Sequence, residues 1–240
     1  MTNKNVSEPG NLFQVLISSF RMLSSRPKFF IPKILSTGLS AIWFIGIVSG
    51  SGNQLHYLAV LPLLILFGIA VSVMLAGMVK KKESDQILNE GLTVLRNNIG
   101  SIIKISVLML LITFIISIPM SLGVYMYLVL GETPIAIILI GISLLLTLAL
   151  SFGIYFLPIT LIEKKGVLNG LKSSGSASIS NSKEVMGLTL LSFALITVAF
   201  VSQGALEQAG YIGFFIGRMI SAVVTTYLFV VSPEYYLSNN

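Results

Sequence analysis

The sequence predicts an all-α integral membrane protein with six transmembrane helices, and three observations carry that class. Hydrophobic residues make up 55% of the chain and charged residues only 10%, against about 25% charged in soluble domains. So much apolar surface must face lipid or neighbouring helices. Six uncharged or nearly uncharged stretches approach or exceed the roughly 20 residues that cross a ~30 Å hydrocarbon core. Lysine and arginine, finally, are confined almost wholly to alternate connections, which is how a polytopic protein fixes its orientation.

The first span is 34–50, brought to full length by 29–33 with Lys33 snorkelling to the interface. The second, 55–79, is free of formal charge when His56 is neutral. Spans three and four, 105–130 and 133–162, are longer than the core requires, so tilt or interfacial extension is expected of them. The fifth is 185–206, and the sixth, 211–232, is interrupted by Arg218. None alternates with period two, which argues against strands and barrels. Helices, which satisfy their own backbone groups in lipid, remain. Pro62, Pro119 and Pro158 fall in or near spans and are expected to shape packing or kink helices.

The connections "SGSGNQ", "GET" and "EQAG" carry no Lys or Arg, whereas the N-terminal segment and two long connections hold 14 of the 15. The positive-inside rule makes those three basic segments and both termini cytoplasmic, in the cell membrane. The apolar run begins only near residue 29 with no A-x-A site after it, so a cleavable leader is not expected.

Each basic segment also reads as a surface helix. Leu12, Leu16, Phe20 and Leu23 share one face of the first; Leu88, Leu92, Leu95, Ile99 and Ile102 step along the second. The third carries Val167, Leu168 and Leu171 and then weakens into glycine and serine, where fraying is expected. The chain thus divides into a tail 1–10, three units of interfacial helix plus transmembrane hairpin at 11–79, 80–162 and 163–233, and a tail 234–240. Together they form a single membrane domain, 1–240.

The stretch "FGIYFLPITLIEKKGVLNGLKSSGSASISNSKEVMGLTLLSF" ends a span in an apolar-Pro motif, follows it with Glu163, and places "GLKSS" on a surface helix before the next span. With "SSFRMLSSRPKFFIPKIL" near the start, it resembles the membrane domain of glycerophosphoryl diester phosphodiesterases and related stand-alone six-span proteins of bacteria and archaea. The likeness covers essentially the whole chain. It departs at Gly175, Ser176, Ala177 and Ser178, where that family carries bulkier residues. The family's phosphodiesterase activity resides in a separate soluble barrel domain, so the resemblance implies an architecture and no catalytic residue.

The residues themselves offer little chemistry. There is no cysteine, one histidine, His56, and one aspartate, Asp85. Those two are expected at opposite faces, about 30 Å apart, which rules out a Ser–His–Asp arrangement. Two-histidine zinc motifs are absent, and the acidic Glu83, Asp85 and Glu90 are interleaved with lysines as a solvated face is. No enzyme, metal or cofactor is expected. The net charge of +6 is explained by anionic lipid at the cytoplasmic face, without nucleic acid.

Arg218 is the unusual charge, an ionisable group inside a span. It is expected to snorkel or to pair with Glu207, or else to form an anion or headgroup site with Glu132 and His56 as outer-face neighbours. Gly46 and Gly50, and Gly213 and Gly217, form small-xxx-small faces for close helix packing. Two function classes follow. The first is a non-enzymatic scaffold or accessory subunit binding a partner membrane protein or lipids. The second is a small transporter or lipid- or anion-handling protein, which would show a cavity lined by Arg218 with Gln203, Thr225 and Thr226. The cysteine-free chain makes the topology testable. Gln208→Cys should react with an impermeant maleimide on intact cells, and Ser176→Cys only after permeabilisation; the opposite pattern would invert the orientation.

Overall fold

The computed structural model describes residues 12–46, 54–164 and 166–239, and among these there is no strand. The order is α1 (Leu12–Ser25), a 3-10 turn (Pro27–Phe30), α2 (Ile31–Gly46), α3 (Gln54–Lys80), α4 (Ile87–Asn97) and α5 (Ile99–Leu128). It continues with α6 (Thr133–Gly153), α7 (Leu157–Lys164), α8 (Val167–Ser180), α9 (Ser182–Glu207) and α10 (Gly210–Asn239). Among the described residues, five helical segments are long and apolar enough to cross a membrane: Pro62–Lys80, Ile99–Leu128, Thr133–Lys164, Ser182–Glu207 and Gly210–Asn239. The expected first span falls on α2, and its far end, with Gly50, lies outside the described residues.

α3 and α10 lie at the centre. Half of the most apolar window of α3 is buried, against 11% of that in Thr133–Lys164 and 17% in Ile99–Leu128, so the α5–α6 hairpin is peripheral. Its outward side chains include Ile115, Ile137, Ile138 and Leu145 with Phe114, an apolar surface such as a lipid-facing wall requires. Gly131 and Gly210, at φ 69° and 78°, close the α5–α6 and α9–α10 turns in the left-handed region that glycine enters without steric cost.

The expected fourth span is broken. α6 ends at Gly153 and α7 begins at Leu157, which puts Pro158 in the first turn of α7, where its missing N–H costs no intrahelical bond. Continuous helices nonetheless run through Pro62, Pro119 and Pro233. The twenty-one residues of α6 already reach about 31 Å. The remaining length lies in α7, whose Leu157, Ile159, Thr160 and Leu161 are buried. Phe156, in the break, anchors an aromatic cluster. It stacks on Tyr235 at 5.9 Å and 11°, meets Tyr155 edge-on at 5.3 Å, and lies 5.5 Å from Tyr236. The sequence pattern places a tail at 234–240; α10 instead continues to Asn239 and buries Tyr235 and Tyr236 in this cluster.

All three short helices form, and part of each apolar stripe packs on the bundle: Leu12, Leu16 and Leu23 of α1, Leu88 and Leu95 of α4, and Val167 and Leu171 of α8. α1 buries Val15, Ser19 and Leu23 and exposes Phe13, Ile17 and Phe20. α4 buries Ile87 and Gly91 and exposes Leu92. At Gly91 an added Cβ would stand 2.7 Å from Met78 Cγ. α8 does not fray: it runs fourteen residues, buries Gly170, Ser174 and Ser178, and exposes Leu168 and Ile179. Small residues let these helices approach the bundle closely. Bulky apolar side chains on their outer faces fit a lipid interface.

Hydroxyls lock the same contacts. Thr160 Oγ1 donates to Gly170 O at 2.9 Å, and Ser174 Oγ to Gly153 O at 3.1 Å. Tyr227 OH donates to Leu16 O at 3.2 Å, tying α10 to α1. Ser174→Leu should therefore overpack the α8 interface and remove a bond, costing about 1–3 kcal/mol. The unfolding midpoint should fall by several degrees, whereas Ser180→Leu, on the exposed side of α8, should leave it unchanged.

Candidate functional site

Two facing helices each carry a polar stripe at helical spacing. On α2, Lys33, Ser36, Thr37 and Ser40 recur at i, i+3, i+4 and i+7; on α10, Arg218, Ser221 and Thr225 recur at i, i+3 and i+7. These side chains, with Gln203 of α9 and Leu64 and Gly68 of α3, line a cleft of about 270 Å³. It holds two cations, and among the described residues no carboxylate lines it. Arg218 is half-buried, with its guanidinium 5.0 Å from the centre of the Phe214 ring. The ammonium of Lys33 lies 5.6 Å from the centre of the Phe229 ring. Both aromatic faces favour a cation held in place.

Gln203 is fixed from two directions. Its Nε2 donates to Glu207 Oε1 at 2.8 Å, and its Oε1 accepts from Ser221 Oγ at 3.1 Å. Gln203 also meets α10 at its closest approach. A Cβ at Gly217 would stand 2.9 Å from Gln203 Cα, and one at Gly213 would overlap the Leu206 carbonyl. Gly213 and Gly217 thus pack α9 against α10 within one chain and draw Arg218 to the cleft wall. Gly46 closes α2, and Gly50 lies outside the described residues.

Glu207, the carboxylate expected to pair with Arg218, accepts from Gln203 and does not line the cleft. Glu132 is exposed at the start of α6 and does not line the cleft. The side chain of His56 lies outside the described residues. Of the polar residues named with Arg218, Gln203 and Thr225 line the cleft, while Thr226 is fully buried behind it and donates to Ala222 O at 2.7 Å. Lys33 reads from sequence as an interfacial snorkeller, and its role as the second cation of the cleft goes unpredicted. The signal was present: "KILSTGLS" sets a cation and three hydroxyls on one helical face.

A second cavity, of about 390 Å³, adjoins the first. Gly68 and Thr225 line both. Its other walls are mainly apolar, including Met109, Leu157, Phe193, Ile196, Leu228 and Phe229, and the broken segment at Ile154 and Tyr155 opens onto it. Along α10 the polar cleft occupies Arg218 to Thr225 and the apolar chamber Thr225 to Ser232. The fourteen rises from Arg218 to Ser232 span about 21 Å.

A third opening, of about 590 Å³, lies where α1 meets the α3–α4 turn and the end of α10. Arg21, Arg26, Lys82, Glu83 and Glu234 border it. Glu234 is 8% exposed, and its Oε1 accepts from Lys82 Nζ at 2.8 Å, a bond that reads as structural. Nearby, Lys80 pairs with Glu163 at 3.0 Å on the surface. Among the described residues no group of three His, Cys, Asp or Glu side chains could hold a metal ion.

Lys82→Met should lower the unfolding midpoint by stranding a buried carboxylate. Adding Glu234→Gln should recover most of the loss, a coupling that a double-mutant cycle reads directly. Comparison of the chain with family models, with curated proteins and with solved structures finds no match in any of the three.

Proposed function

We propose that the chain is a six-span, non-enzymatic protein of the cell membrane, with α2 as its first span and both termini cytoplasmic, that binds and handles an anionic solute or headgroup. The observation that carries this reading is the cleft between α2 and α10, where Lys33 and Arg218 face a polar space lined by serine, threonine and glutamine. Ionisable groups inside spans are costly and mark ligand or ion pathways. Two cations on the wall of one small cleft make its field attractive to an anion. The hydroxyls supply neutral donors that turn to suit the ligand. Gln203, held by Glu207 and Ser221, supplies a fixed wall.

Of the two function classes, the cleft favours handling over scaffolding. The exposed apolar residues of α1, α4 and α8 fit anionic lipid around the basic connections, and a partner protein is not required to cover them. The architecture suggested by the family resemblance is compatible with this reading and adds no site to it.

Purified full-length chain in detergent should bind methyl phosphate in preference to tetramethylammonium. Arg218→Gln and Lys33→Gln should each weaken that binding at least tenfold, which is about 1.4 kcal/mol. Equal binding of anion and cation, or unchanged affinity in both variants, would overturn the proposal.

A further inference from the structure

The two adjoining cavities differ in chemistry in a way that specifies the ligand further. We infer that the occupant is an anionic amphiphile with a single apolar tail, its charged head in the Lys33–Arg218 cleft and its tail in the chamber beside the α6–α7 break. This deepens the anion-handling reading and rests on it.

Three observations support the head-and-tail arrangement. The cleft and the chamber share Gly68 and Thr225, so they lie side by side with only these residues common to both walls. The chamber, at about 390 Å³, lies within the ~300–1,000 Å³ range of small-molecule sites and is lined mainly by apolar atoms. A compact hydrophilic anion would gain nothing from that space, whereas an alkyl chain leaves water for it. At Gly68 an added Cβ would meet nothing within 4 Å, so the junction is open at the point where head and tail would join. The charges are positive at the cleft end and the chamber lining holds no ionisable group other than Tyr155. That polarity matches an anionic head joined to a neutral tail and not the reverse.

Ser192, which lines the chamber and not the cleft, separates the inference from the reading beneath it. A bulky side chain there would fill the chamber and leave both cations and the cleft wall in place. Full-length chain in phosphatidylcholine nanodiscs would be titrated with methyl phosphate, decyl phosphate and decyltrimethylammonium, and Kd taken from ligand-linked shifts in thermal unfolding. Decyl phosphate should bind at least tenfold more tightly than methyl phosphate, and decyltrimethylammonium should bind worst. Ser192→Phe should abolish the advantage of the tail while leaving methyl phosphate affinity within twofold, and Ser192→Ala should behave as the native chain. If Ser192→Phe fails to fold, Ser192→Leu provides the same comparison with a smaller plug. Decyl and methyl phosphate binding alike in the native chain, with Ser192→Phe silent, would overturn the amphiphile and leave a free-anion site standing. Arg218→Gln without effect on either phosphate would overturn both.

Discussion

Backbone that leaves helical geometry in apolar surroundings must find partners for its carbonyls, and the break at 154–156 is where this chain meets that demand. Gly153 O accepts from Ser174 on α8, and Tyr155 O accepts from Ser232 on α10. An unsatisfied carbonyl in hydrocarbon costs several kcal/mol, so both serines are bound to the break. α8 must lie against α6 and α7 for Ser174 to reach, which requires a helix with small residues on its inner face. The last turns of α10 must run inside the bundle for Ser232 to reach, which carries Tyr235 and Tyr236 in beside Phe156. Irregular backbone at this depth is stable only where protein buries it or a cavity receives it. Here both hold, since the chamber opens against Ile154 and Tyr155.

A polar path and an apolar one therefore share a single helix. α10 turns glycine towards α9, cation and hydroxyls towards α2, and leucine and phenylalanine towards the chamber. Gly213 and Gly217 bring α9 close enough for Gln203 to reach Ser221. The cleft is in this sense a product of close packing: remove the small residues and Gln203, the cleft's fixed wall, moves away from Arg218.

Much of this architecture was legible in the sequence. The apolar runs, the basic segments and the three surface helices follow from composition and periodicity, and a charge as isolated as Arg218 marks itself. What periodicity missed has one physical cause. In a soluble protein the bulky apolar stripe of a helix faces inward; at a membrane the outside is apolar too, and packing selects small residues instead. Phe20, Leu92 and Leu168 belong to stripes whose other members pack inward, yet they face out. Ser174 and Ser178, read as solvated filler in a fraying helix, are buried contacts. Lys33 was hidden by the same ambiguity, since a lysine at a span end is ordinarily at the headgroups. Only the facing stripe on α10, some 185 residues away in sequence, shows that it belongs to the cleft.

The three surface helices also lie at one end of the bundle, where Lys80–Glu163, Lys82–Glu234 and Tyr227–Leu16 tie their neighbourhoods together. Phe13, Phe20, Leu92, Leu168 and Ile179 all project from that end. Among the described residues the other end is closed by tight turns at Gly131 and Gly210. Partition of interfacial helices depends on lipid packing and curvature, so a bundle with bulky apolar side chains at one end would, with that end at a membrane face, couple to the shape of one leaflet more than to the other.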